Sequence, residues 1–252
     1  MAEPRRSRGR PPKYPVDEVR HRLLSSAKEA LHTHGVAFGL DIATLEASIE
    51  DADVPRGISY RTWRTAAVNG ESPQDAFRHA LIANIARNSP DDWLRTCRSF
   101  IDGQIAAHRR SETNFQQILR QIGIFGHQLV NNTTEIRLVH AFRAAAATQT
   151  AAPESVTNAL YDGKEKIITE YVNLAQQLID EVGVQLRDGR DLRTFSEAFF
   201  TMTQGFNNTA DIDPVLVPRP TAVDGETEQW TLAGIGTEAL VRQFFDWTPE
   251  AA

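Results

Sequence analysis

The sequence predicts an all-α chain, a three-helix N-terminal unit followed by a larger helical bundle. Three observations carry that expectation. Ala, Leu, Gln, Arg and Glu dominate the composition, and strand-like alternation is scarce. Apolar residues recur at steps of three and four through most of the chain after Asp17. Helix-start chemistry, a Ser or Asp beside Pro or an acid, stands ahead of several of those runs. At 252 residues there is room for one large or two modest domains with ample core.

Residues 1–16 read as a disordered basic arm. Arg-Arg-Ser-Arg-Gly-Arg-Pro-Pro-Lys holds no large apolar side chain before Tyr14, so it cannot bury enough surface to fold alone. Its centre, Arg8-Gly9-Arg10-Pro11, looks like an AT-hook, an extended element that lays arginines along a narrow minor groove. Arg8 and Arg10 are therefore candidate DNA contacts.

An amphipathic helix follows from Asp17 to His34, with Val19, Leu23, Leu24, Ala27, Ala30 and Leu31 on one side. It stops at Gly35, the residue type favoured just past a helix end. From Asp41 to Arg64 the pattern is two short helices and a tight turn. Asp41 can cap the first, which carries Ile42, Leu45, Ala47 and Ile49. Pro55 can open the second, where its missing N–H costs nothing. That second helix carries Arg56, Ser59, Tyr60, Arg61, Thr62 and Arg64 with no acid among them. A basic second helix rich in donors, after a turn, is the helix-turn-helix arrangement. Downstream, Ser72-Pro73-Gln74-Asp75 is a fresh N-cap ahead of Phe77, Leu81, Ile82 and Ile85.

On Gly35, on Gly57, Tyr60 and Trp63 in the second helix of the pair, and on Ser72 with Asp75, the chain resembles the tetracycline-repressor (TetR) family of transcriptional regulators. The resemblance covers roughly residues 17–85; Ile58, Ser59, Thr62 and the loop Val36–Leu40 depart from the usual family residues. It implies a helix-turn-helix DNA-binding domain over residues 17–70 and a helical regulatory and dimerisation domain over 71–252. It implies Tyr60 and Arg61 as DNA contacts, with Arg56, Ser59, Thr62 and Arg64 as further candidates. Gly57 would permit close approach to the DNA backbone, and Trp63 would pack against the first helix. The partners so implied are a palindromic double-stranded operator, a second copy of the chain and a small-molecule effector.

The bundle is read in order. Ser89-Pro90-Asp91-Asp92 opens a helix bearing Trp93, Cys97, Phe100, Ile101 and Ile105, with acids where they complement the helix dipole. A second spans Thr113 to Val130, where Gly123 and Gly126 predict a kink or a close contact. Thr134 to Ala147 reads as a third. The strongest signal, Glu154 to Leu186, has two apolar stripes side by side and so predicts burial on more than one face. Asp191 caps a helix to Phe206; Asn207 to Glu228 reads as an irregular connection and Gln229 to Trp247 as the last helix. Trp93, Phe100, Phe115, Phe125, His127, His140, Phe142 and Tyr171 are the candidate wall of a ligand pocket, each equally at home in plain core. Phe195, Phe199, Met202, Leu240, Phe244 and Trp247 are the candidate dimer interface, because the resembled family pairs its last two helices.

The net charge of −6 hides an asymmetry. Residues 1–22 hold seven cations against three acids, a net of +4 that leaves −10 on the rest. The cations concentrate where DNA would bind, and overall acidity does not argue against it. The single cysteine, Cys97, excludes an internal disulfide and fits a reducing cytoplasm, where among apolar neighbours it reads as a buried inert thiol. No apolar run reaches the roughly 20 residues of a bilayer span, and no apolar stretch follows the basic N-terminus, so neither a membrane segment nor a secretory signal is expected. No nucleophile elbow, phosphate loop or zinc-protease motif occurs, and the scattered histidines with one cysteine offer no metal set, so no enzyme, metal or cofactor is expected. The competing expectation is a helical protein-interaction adaptor whose basic arm touches nucleic acid without sequence choice.

Overall fold

The computed structural model describes residues 16–34, 63, 72–132, 136, 139, 153–212, 221–222 and 229–247. Arg8, Arg10, the segment carrying Arg56, Gly57, Ser59, Tyr60, Arg61, Thr62 and Arg64, and the residues His140 and Phe142 lie outside them. The described elements are α1 (Val16–His34), α2 (Pro73–Arg109), α3 (Phe115–Asn132), α4 (Glu154–Val182), β1 (Gln185–Leu186), α5 (Leu192–Ile212), β2 (Thr221–Ala222), β3 (Gln229–Trp230), α6 (Leu232–Phe244) and β4 (Phe245–Asp246). The fold is all-α, as the composition and spacing predict; two short antiparallel ladders, β1 with β4 and β2 with β3, are added to it.

The chain forms two compact units, Met1–Asn84 and Ile85–Ala252. In the first, Val19, Leu23 and Ala27 are buried four residues apart along α1, so one stripe of the helix faces its core. Trp63 is buried as well. The Arg20 guanidinium lies over its ring at 5.8 Å, and Phe77 meets it edge-on at 5.3 Å. Trp63 thus packs against α1, the role expected of it. The start of α2 is capped as its sequence predicts: Ser72 Oγ accepts from the Asp75 N–H at 3.1 Å and donates to the Asp75 carboxylate at 2.6 Å.

In the second unit α2 corrects the sequence reading. No new helix begins at Ser89; α2 runs through Pro90 to Arg109. Proline has no N–H to give the Ala86 carbonyl four residues back, and it ordinarily kinks or breaks a helix. Gly163 of α4 lies against that same carbonyl, so closely that a Cβ there would collide with it. The break in the hydrogen-bond ladder thus coincides with a close approach of the α4 backbone.

Alongside this contact, α2 and α4 are joined by side-chain pairs: Arg87 with Asp162 at 4.0 Å, Lys166 with Asp91, Arg98 with Glu170 at 2.5 Å, Gln177 with Asp102 at 2.8 Å and Arg109 with Glu181 at 2.6 Å. Numbers rise together on both helices, so the two run parallel. Glu170 is buried while Arg98 stays exposed. The Arg98 hydrogen bond holds the Glu170 carboxyl below its usual range, against the opposing effect of burial. A carboxyl lowered in the folded state contributes stability that is present above its unfolded pKa and lost as pH falls through the folded one. As pH falls below the ordinary carboxylate range the Glu170→Gln variant should therefore lose less stability than the parent in urea titrations; equal losses would remove Glu170 from the acid response.

The rest of the unit closes around one core. The expected helix to Leu186 ends earlier, at Val182, because Gly183 adopts the left-handed conformation (φ 70°) and its N–H returns to the Ile179 carbonyl. Val184 to Leu186 then leave the helix, and Gln185 and Leu186 pair with Asp246 and Phe245. Asp191 caps α5 by accepting from the Thr194 N–H at 2.9 Å, as predicted. That helix, however, continues to Ile212 and takes in the first part of the presumed irregular connection. The last helix begins at Leu232, capped by Thr231, whose hydroxyl accepts from the Gly234 N–H at 3.1 Å. Of the glycine pair in α3, Gly123 makes the close contact: a Cβ there would lie 2.6 Å from the Gly234 backbone of α6. Gly126 opens onto free space.

Candidate functional site

Inside the second unit, α2, α3, α4, α5, α6 and β4 line a cavity of about 140 Å³. Trp93, Phe100, Phe115, Phe125 and Tyr171, five of the sequence candidates, line it. His127 lies on α3 with its side chain outside the described set, as are His140 and Phe142 altogether. The helical period explains the convergence. Trp93, Cys97 and Phe100 repeat at steps of four and three on α2, as do Ile167, Tyr171, Leu174 and Leu178 on α4.

The walls are built from ring contacts. Phe100 and Phe125 stack face to face, 4.0 Å apart and 5° from parallel. Tyr171 meets Trp93 at 5.9 Å and Phe199 at 5.5 Å, both edge-on. Phe195 meets Phe245 edge-on at 5.0 Å. Among the described residues no charged side chain lines the cavity. Burial raises the Tyr171 hydroxyl well above its ordinary pKa and pushes the Cys97 thiol up to about 12, with the Glu170 charge adding to the latter. Both groups stay protonated at neutral pH. Cys97 is a buried neutral wall residue and not a nucleophile.

The candidate dimer residues are buried or half-buried within a single chain. Phe244 and Trp247 are only 6% and 7% exposed within a single chain, where they sit in its core. Phe195 and Phe199 line the cavity. Met202 is half-buried, its sulfur 3.1 Å from where a Cβ on Gly236 would stand, and Leu240 is half-buried at the edge of the core. Apolar spacing shows that these helices have a buried side; it does not say whether their own chain or a second copy buries it. The sequence reading also missed the polar lining residues Ser89, Ser196, Thr203, Gln204 and Thr237. Single hydroxyls inside amphipathic helices carry no signal that separates them from surface polar residues.

An all-helical fold with an apolar cavity in its C-terminal unit is what these elements define. No protein-family model and no curated protein matches the sequence. Among solved structures the chain is similar to E. coli NemR in its reduced form, with a TM-score of 0.52 at 14% identity, over 90% of this chain and 98% of that one. At that identity the likeness shows the fold. Among the described residues no helix is long and apolar enough to cross a membrane.

Proposed function

We propose that this chain is a dimeric, sequence-specific DNA-binding regulator of transcription, acting in the cytoplasm as a repressor that a small molecule releases from its operator. The cavity carries the reading: an uncharged, aromatic-lined, partly open space inside a TetR-like fold suits an apolar effector better than a catalytic step. The helix-turn-helix pattern of residues 41–64 and the basic arm supply the DNA side. Tyr60 and Arg61 reach phosphates or base edges, flanked by Arg56, Ser59, Thr62 and Arg64, while Arg8 and Arg10 add minor-groove contacts. A ligand lowers DNA affinity only by binding the DNA-incompetent state more tightly than the competent one.

The test compares a palindrome from the region upstream of the protein's own reading frame with random duplex. The parent should prefer the palindrome. Replacing Tyr60 and Arg61 together by Ala should cost roughly 2 kcal/mol or more, over thirtyfold in affinity, with an unchanged melting temperature. Equal binding to both duplexes would favour an adaptor that touches nucleic acid without sequence choice. Pairing is required because two recognition helices must reach successive major grooves about 34 Å apart. Light scattering should give about twice the chain mass of 28.1 kDa, and the chain mass itself at micromolar concentration would refute the dimer.

A further inference from the structure

On the reading that the cavity is the effector site, we infer that its ligand is an uncharged, single-ring aromatic molecule bearing one hydrogen-bond-accepting oxygen, and that Ser196 donates to that oxygen. Size sets the scale: about 140 Å³ is close to the volume of a protein cavity that holds one benzene. The stacked pair Phe100 and Phe125 gives it a flat wall, which suits a planar ring.

Polarity sets the rest. Ser196 is fully buried in the wall, and its hydroxyl has no hydrogen-bond partner. Ser89 Oγ and Gln204 Nε2 are buried in the same lining, also without partners. A hydroxyl inside a helix ordinarily turns back onto a carbonyl of the preceding turn. Two neighbours in this wall do so: Thr203 donates to the Phe200 carbonyl and Thr237 to the Ala233 carbonyl, each at 2.8 Å. Ser196 and Ser89 are the serine hydroxyls of the wall that stay buried without a partner. Native proteins leave few buried polar atoms unmatched, and Ser196, at 0% exposed against 6% for Ser89, is the hydroxyl most in need of a polar atom from outside. An amide N–H can only donate and a hydroxyl can donate, so an accepting atom suits each of these groups. A carboxylate would accept too, but it would be buried without a counter-ion among the described residues. A carbonyl or ether oxygen on a ring meets both conditions.

Three molecules of one shape separate the terms: acetophenone, α-methylstyrene (the carbonyl replaced by a vinylidene group) and benzoate. Calorimetry on the full chain should show acetophenone binding roughly tenfold or more tightly than α-methylstyrene, with no heat from benzoate. The Ser196→Ala variant should lower acetophenone to the level of α-methylstyrene and leave α-methylstyrene unmoved. Equal binding of the two neutral compounds, or an unaltered preference in Ser196→Ala, overturns the polar anchor. Binding of benzoate alone, or of none of the three, overturns the ligand class. The parent comparison does not depend on how the variant folds, and none of these outcomes bears on palindrome binding, by which the regulator reading stands or falls.

Discussion

Gly163→Ala should be among the most damaging single-methyl additions the second unit can receive. Alanine in place of glycine within an exposed helix gains about 1 kcal/mol. At Gly163 the added carbon meets the Ala86 carbonyl oxygen, a backbone atom that cannot swing aside as a side chain would. The helices must separate, and overpacking of that kind costs roughly 3 kcal/mol or more. In a chain of this size the melting temperature should fall on the order of 5–10 °C. Gly103 supplies the control, since a Cβ there meets nothing within 4 Å: Gly103→Ala should be neutral or slightly stabilising. A Gly163→Ala protein that melts with the parent would show that the α2–α4 approach is looser than the structure has it.

Phe245→Ala should be comparably severe for the opposite reason. Phe245 is 1% exposed, belongs to the same core as Ile168 and Leu119, and holds its backbone in the β1–β4 pair through Leu186. Truncation removes a whole ring from a close-packed site and enlarges a cavity already present beside it. Losses of this kind run to about 3–5 kcal/mol. Chemical denaturation would measure it, and a loss below about 1 kcal/mol would mean that neighbouring side chains collapse into the gap. Because Phe245 also lines the cavity, the variant should accept a bulkier ring than the parent does.

The helices were legible wherever their ends carry local chemistry. Ser72 with Asp75, Asp191 with Thr194, and Gly35 are signals written within four residues of the boundary they mark. Pro90 shows the limit of that reading. Ser89-Pro90-Asp91-Asp92 has every feature of a helix start, yet the chain passes straight through it, and the reason lies on another helix 73 residues away, where Gly163 lets α4 cover the broken step. The close of α4 was misplaced for a similar reason. Val184 and Leu186 extend its apolar stripe, but Gly183 turns the chain and a ladder with Phe245 and Asp246 claims the residues that follow. In the site, the helical spacing of the aromatic residues on α2, α3 and α4 was legible, while a pocket among them was implied only by the family resemblance. The α5 side of the site was not legible, because Phe195 and Phe199 would look identical in sequence if they faced a second subunit.

The parallel course of α2 and α4 bears on how the chain reaches this structure. Two helices that run the same way cannot zip together as a hairpin. Every bridge between them, from Arg87–Asp162 to Arg109–Glu181, closes a loop of more than 70 residues. Contacts such as Glu165 with Arg193 close only 28. Long closures come at greater entropic cost and are rewarded late, so the α2–α4 bridges belong to the final docking step and not to the nucleus. Arg98→Met should therefore hasten unfolding in stopped-flow measurements while leaving the folding limb where it is; a slowed folding limb would place the bridge in the transition state. The side-by-side helices act as a latch on lifetime: they govern how long the cavity, once formed, persists.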